Sequence, residues 1–336
     1  MEVRNSQNGS NSTGTCIKED DMYVNTLFYP IVYSVFFIVG FPANCLSFYI
    51  AWILALRGNE VAVYLVNLCV SDLLYILSLP VWIQNSLRPH VGNTLCSLTY
   101  FIMDNSFYIA ASFLCCISVD RYFAVVYPLY FATLRSVKFA VQMSIVIWVV
   151  ELSLHIIYLY YEDMLYSFSE ERLCDNKPPI PEKVAIVNLI RCLTGFLLPL
   201  LLMFFFYMRI LKSVFASTGT EDSEKRKIMR LLFLLLMTYF VSFAPYQTIM
   251  FLRSIWEPRN CAFAEQMRHP YLLSVALTTL NSVLDPVFYC FMSESAKNEI
   301  KKLQQSLKGK LKNMPFKKSP STSTVHTVSL NQIHPC

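Results

Sequence analysis

Seven stretches of this chain are each apolar over a length that matches a lipid bilayer. They lie near residues 27 to 53, 61 to 84, 96 to 119, 138 to 161, 184 to 211, 228 to 254 and 270 to 292. About 20 apolar residues in helical form cross roughly 30 Å of hydrocarbon. Inside lipid every backbone N–H and C=O must be satisfied within the protein. These segments are too long and too uniformly apolar for the strands of a membrane barrel, so the expected fold is all-α, a seven-transmembrane helix bundle. Composition agrees: of 336 residues, 55% are hydrophobic and 15% charged, more apolar surface than one soluble core buries. The bundle then occupies 27–292, between a polar tail over 1–26 and a basic amphipathic segment over 293–312. That segment reads as a short eighth helix on the membrane surface, and 313–336 reads as a disordered tail.

Orientation follows from two signals. Asn8-Gly9-Ser10 and Asn11-Ser12-Thr13 are glycosylation acceptors in a tail with no apolar h-region, so the first helix serves as the targeting signal. Seven crossings from an outside N-terminus put Arg57, Arg135, Lys138, Lys212, Lys225, Arg226, Lys227 and Arg230 inside, as the positive-inside rule requires. The expected location is the plasma membrane, with the N-terminus extracellular. Acids such as Glu162, Asp163, Glu182, Glu257 and Glu265 gather outside, where they read as an ordinary solvated surface. The net charge of +5 sums two unlike faces and says little about a ligand.

The cysteines divide by compartment. Cys96 opens the third helix on the outer side and Cys174 lies in the second outer loop, where an oxidising lumen would join them. Cys16 in the tail and Cys261 in the third outer loop remain as an outer pair, and a second bridge there would staple the N-terminus over the mouth of the bundle. Cys45, Cys69, Cys115, Cys116, Cys192 and Cys290 lie within apolar spans and read as small packing residues.

Ionisable groups inside the spans carry the functional signal, because each costs several kcal/mol at bilayer depth unless paired, hydrated or used. Asp72, Asp104, Asp120, Arg121, Glu151, Arg191 and Asp285 are such groups. Pro199, Pro245 and Pro286 each remove a ladder bond and mark where a helix can bend.

Together these residues resemble rhodopsin-like, class A, G-protein-coupled receptors over about residues 27 to 310. The landmarks are Asn44; Leu68 and Asp72; Cys96 and Asp120-Arg121-Tyr122; Trp148; Pro199 and Tyr207; Phe243-Ala244-Pro245-Tyr246; and Asn281 with Asp285-Pro286-Val287-Phe288-Tyr289. The resemblance implies a receptor, not an enzyme, with no cofactor and no nucleic-acid partner. It implies that Arg121 pairs with Asp120 at rest and is released when the sixth helix swings out, opening a groove for a heterotrimeric G protein. Tyr207 and Tyr289 are the hydroxyls expected to meet in the active state. Lys225, Arg226 and Lys227 would face either that partner or the anionic leaflet. Phe243 stands where the family usually has a tryptophan, Asp285 where most members have asparagine, and Ala110 where many supply a hydroxyl to a sodium site; these departures count against a sodium ion.

Within the family the chain looks like the proton-sensing receptors, a subgroup also linked to lysolipids such as psychosine. Cys115 to Tyr122, Tyr127-Pro128-Leu129, Phe243 to Tyr246, Asn281 to Cys290 and Glu151 carry that likeness. Asp72, Glu151 and Asp285 then form a set of buried carboxyls for which the proton is a ligand of whichever state holds it more tightly. A tenfold difference in proton affinity at each of the three would supply roughly 4 kcal/mol, against roughly 5.5 kcal/mol for a full switch. A structural link between Asp72 and Asp285 is the other reading of that pair. Histidines at the outer half are few, and His90, His155 and His269 are the further proton-sensing candidates. His155 lies i, i+4 from Glu151, so the two would share a hydrogen bond or the histidine would be satisfied elsewhere in the core.

Asp104 and Arg191 should face each other in the outer half, where a salt bridge offsets desolvation. Alternatively Arg191 and Arg253 hold the anionic head group of a lysolipid whose chain lies among Phe107, Tyr108 and Tyr246. The Ser/Thr cluster from Ser319 to Ser329 suits receptor kinases and, once phosphorylated, an arrestin. A transporter would show an internal repeat and broken helices at midplane, and a membrane enzyme a convergent set such as a His cluster; the sequence has neither.

Overall fold

The computed structural model describes residues 27–87, 93–127, 136–161, 179–216, 222–292 and 294–312. The helices are α1 (Tyr29–Leu56), α2 (Glu60–Leu87), α3 (Asn93–Val126), α4 (Val137–Tyr161), α5 (Glu182–Ala216), α6 (Asp222–Trp256), α7 (Cys261–Met292) and α8 (Glu294–Lys312). The first seven form the expected bundle. α1 to α6 each contain a stretch long and apolar enough to cross a membrane. α7, at 32 residues, reaches roughly 48 Å at 1.5 Å per residue. Its interior stripe of Ser274, Thr279, Asn281, Ser282 and Asp285 is buried and lowers its hydropathy without exposing polar groups to lipid.

Local chemistry sets the helix starts. Asn59, Ser136 and Asn260 each precede a helix, and their side-chain oxygens accept the N–H three residues on, at 3.1, 3.3 and 3.1 Å, which satisfies a donor that the helix cannot. Pro30 occupies the first turn of α1, where no N–H is needed. Between α1 and α2 the chain reverses at Gly58, whose φ of 90° favours glycine.

Burial separates the lipid face from the interior. In α2, 67% of the most apolar window is buried, against 17% in α4, so α2 is central and α4 is peripheral. Ile145, Val149, Ile156 and Ile157 of α4 are exposed apolar residues, as lipid contact requires. Trp148 turns inward instead, donating Nε1–H to Asn67 Oδ1 at 2.9 Å, while Asn67 Nδ2 donates to Ser144 Oγ at 3.2 Å; this ties α4 to α2.

α5 is interrupted by a π-helical turn, Cys192–Leu197, just before Pro199. Proline has no N–H for the carbonyl four residues back, which belongs to Gly195. The Tyr239 hydroxyl of α6 donates there at 3.3 Å, and lies 3.4 Å from the Phe196 carbonyl. Gly195 also packs so closely on the Tyr108 ring that a Cβ would collide with it. The amphipathic helix α8 carries a Lys302–Glu299 contact of 2.8 Å.

Candidate ligand cavity and switch residues

A cavity of about 570 Å³ opens at the end of the bundle where α1, α3, α5 and α7 begin, called the upper end below. Ile180, Arg253 and Arg268 stand at its rim; Phe243, Asn281 and Ser282 lie at its base. Asp104, Phe107, Tyr108, Arg191, Tyr246 and Arg253, the six pocket residues expected from the sequence, all line it. Phe107 packs edge-on against Phe243 at 4.3 Å between centroids, and Phe243 against Tyr239 at 5.1 Å, so the residue at the tryptophan position sits in an aromatic stack.

Asp104 and Arg191 form the expected ion pair. The guanidinium also lies 4.4 Å from the Tyr108 ring centroid, a cation–π contact of a desolvated arginine. His155 joins this pair rather than Glu151: its Nδ1 is 2.7 Å from Arg191 Nη2 and 3.3 Å from Asp104 Oδ2. An arginine only donates, so Nδ1 accepts and the imidazole carries its proton on Nε2, which has no hydrogen-bond partner. Glu151 accepts instead from Ser112 of α3, at 2.6 Å. The i, i+4 pair on α4 is therefore split between two neighbours.

At the rim Glu257 corrects an expectation. Its sequence position suggests a solvated outer acid, yet it is 0% exposed. Its carboxylate takes Arg253 Nε at 2.5 Å, Arg253 Nη2 at 2.9 Å and the Ile180 N–H at 3.1 Å. Arg253 in turn lies 4.3 Å from the Tyr271 ring centroid. The i, i+4 spacing of Arg253 and Glu257 was the available signal.

Below the cavity, Asp72 and Asp285 are both 2% exposed. Asn281 Nδ2 donates to Asp285 Oδ2 at 2.8 Å, and the Ser282 side chain stands beside the Asp72 carboxyl. Asn44 Nδ2 reaches the Ser282 carbonyl at 2.7 Å, fastening α1 to α7. Asp72 Oδ2 and Asp285 Oδ1 have no hydrogen-bond partner. Carboxyls buried this way are stable only where a proton, a hydrogen bond or a cation answers each oxygen.

At the lower end Arg121 holds Asp120 through Nε at 3.0 Å and Nη2 at 2.5 Å. It also approaches Glu60 of α2, with Nη2 3.6 Å from Oε1, a contact that sequence reading missed. Tyr122 stacks obliquely on Phe206 at 5.1 Å and Tyr207 on Phe233 at 5.9 Å. Pro245 and Pro286 lie inside α6 and α7. Tyr289 falls on a helical backbone, and its side chain is outside what is described, as is that of Lys225. His269 is exposed at the upper end of α7. Cys96 and Cys261 are each disulfide-bonded; Cys174, Cys16, His90, Asn8 and Asn11 lie outside the described residues.

A family model described as 7 transmembrane receptor (rhodopsin family) matches residues 44–289. The chain belongs to that family. This rhodopsin-family receptor is 40% identical over 279 residues to G-protein coupled receptor 68 of Homo sapiens, covering 82% of this chain and 76% of the relative. It is 34% identical over 299 residues to G-protein coupled receptor 65 of Homo sapiens, covering 85% and 88%. Lysophosphatidic acid receptor 6 of Mus musculus is 28% identical over 302 residues, covering 86% and 87%. The chain is therefore a multi-pass G-protein-coupled receptor, and the relatives are receptors rather than enzymes.

Proposed function

We propose that this receptor sits in the plasma membrane with its upper end outside, is activated by extracellular protons and drives nucleotide exchange on a heterotrimeric G protein. One observation carries the reading: a single cavity descends from the rim to Asn281 and Ser282, of which Asn281 bonds Asp285 and Ser282 stands beside Asp72. Solvent protons thereby have a route to two buried carboxyls, each with an unanswered oxygen. Asp285 immediately precedes Pro286, a point where α7 can bend. Its protonation and helix geometry are thus coupled, and acid selects the state that binds the proton more tightly. Glu151, bonded by Ser112, is the third member of the set. The disulfides Cys96–Cys174 and Cys16–Cys261, glycans on Asn8 and Asn11, and kinase and arrestin docking on the Ser/Thr tail complete the proposal.

A lysolipid is the second reading. The cavity volume of about 570 Å³ is in the range of small-molecule sites, and one relative is named for lysophosphatidic acid. Against it, Arg191 and Arg253 are already paired, with Asp104 and Glu257. Each guanidinium is therefore already neutralised, although Arg191 Nε has no hydrogen-bond partner and could still serve a head group. Second-messenger output recorded between about pH 6 and 8, the physiological range that a proton switch would have to span, separates the two. A pH-dependent response that changes in Glu151→Gln and Asp285→Asn is expected, and a flat response in the unmodified receptor would leave the lipid.

A further inference from the structure

Arg121 reaches two carboxylates from two different helices, and the two contacts differ in kind. Asp120 precedes Arg121 on α3 and moves with it, so a rigid displacement of the helix does not by itself part that pair. Glu60 belongs to the first turn of α2, and its contact at 3.6 Å persists only while the guanidinium stays folded towards α2. That turn is a firm anchor. Asn59 caps it through the Ala62 N–H at 3.1 Å, Val61, Ala62, Val63 and Tyr64 are buried, and α2 is tied to α4 through Asn67. On the opposite side of the prospective groove, α6 contains no acid from Arg226 to Trp256; Arg226, Lys227 and Arg230 are exposed cations. Among the described residues, the inter-helical carboxylate for Arg121 comes from α2 and not from α6.

We infer that Glu60 is a positioning residue for coupling: its carboxylate holds the Arg121 guanidinium against α2, so that Arg121 must leave Glu60 before it can enter the groove. The inference rests on the coupling role given to Arg121 above. The pair is partly exposed, 20% and 15%, so its hold is modest. Removing the charge should raise unliganded activity about two- to fivefold, the range an ion pair of this exposure supports.

The test uses the full-length receptor in lipid nanodiscs with purified heterotrimers from each Gα class, reading nucleotide exchange without added ligand at neutral and acid pH. Glu60→Gln should raise basal exchange at neutral pH, while Asn59→Ala, which disturbs the same turn but spares the carboxylate, should not. If Glu60→Gln leaves basal exchange at or below the unmodified level, or if Asn59→Ala raises it equally, the inference is overturned. Where Glu60→Gln fails to reach the membrane, Glu60→Asp, one methylene short of Arg121, should give a smaller rise, and no rise is equally fatal. An unmodified receptor that drives exchange in no heterotrimer at either pH would remove the coupling reading itself, an outcome distinct from an inert Glu60 variant in a receptor that couples.

Discussion

Glu257 receives both Nε and Nη2 of Arg253, at 2.5 and 2.9 Å, while wholly shielded from solvent. The same carboxylate accepts the Ile180 N–H, so one acid fastens the upper end of α6 to the segment leading into α5. Burying two charges is costly, and their mutual hydrogen bonds are what offset that cost. Leaving one of them alone is worse than having neither.

Glu257→Ala should therefore destabilise the receptor by about 3 kcal/mol or more, the loss typical of breaking a buried pair from one side. Thermal unfolding of the purified receptor in nanodiscs reads this directly. A variant as stable as the parent would mean that the carboxylate is not sequestered.

A similar argument applies to Asp104 and Arg191, with a sharper test available. Asp104→Asn strands a buried guanidinium beside His155, which already accepts from it and cannot neutralise it. The single variant should lose about 3 kcal/mol, and Asp104→Asn combined with Arg191→Gln should recover much of it, so a double-mutant cycle would show strong coupling. Additive losses would show that the two groups act independently.

The legibility of this chain follows the range of the forces involved. Long apolar runs are local, so the body of each of the seven helices could be placed from the sequence. The start of α7 could not: Cys261 to His269 carries Glu265, Gln266, Arg268 and His269, which depress hydropathy although the backbone is already helical. The six pocket residues were readable because helical period puts them on inward faces. What His155 faces was not readable, since its i, i+4 relation to Glu151 is local whereas its neighbour Asp104 is supplied by α3. Glu60 and Glu257 escaped for the same reason, lying at helix ends where sequence alone suggests solvated acids.

Tyr239 offers a test of the break in α5. Its hydroxyl serves the Gly195 carbonyl that Pro199 leaves without a partner, and it is the only hydrogen-bonding group on that ring. Tyr239→Phe keeps the aromatic stack with Phe196 and Phe243 and removes the hydroxyl alone. The expected cost is about 1 kcal/mol, the net value of such a bond, seen as a small fall in the unfolding temperature. Pro199→Ala in the Tyr239→Phe background should restore part of it, because alanine supplies the missing N–H. No recovery would place the cost elsewhere.

The proton reading fixes a sign for Asp285. Acid activation requires the active state to bind more protons than the resting state, so output rises as pH falls through the range in which the two states differ. Asparagine cannot ionise and mimics the protonated carboxyl in both states, while its side-chain oxygen can still accept the Asn281 N–H that Asp285 Oδ2 takes at 2.8 Å. Asp285→Asn should consequently raise output at the alkaline end and flatten the curve. If three sites share the coupling equally, losing one leaves about two thirds of the roughly 4 kcal/mol available. Glu151→Gln, which keeps an oxygen acceptor for Ser112, should act in the same direction. His269→Ala is the contrast: that imidazole is exposed above the cavity and away from the buried carboxyls, so its loss should leave the slope intact. Curves for Asp285→Asn and Glu151→Gln that overlay the parent between about pH 6 and 8 would take the buried carboxyls out of the sensing role, whatever the outer histidine does.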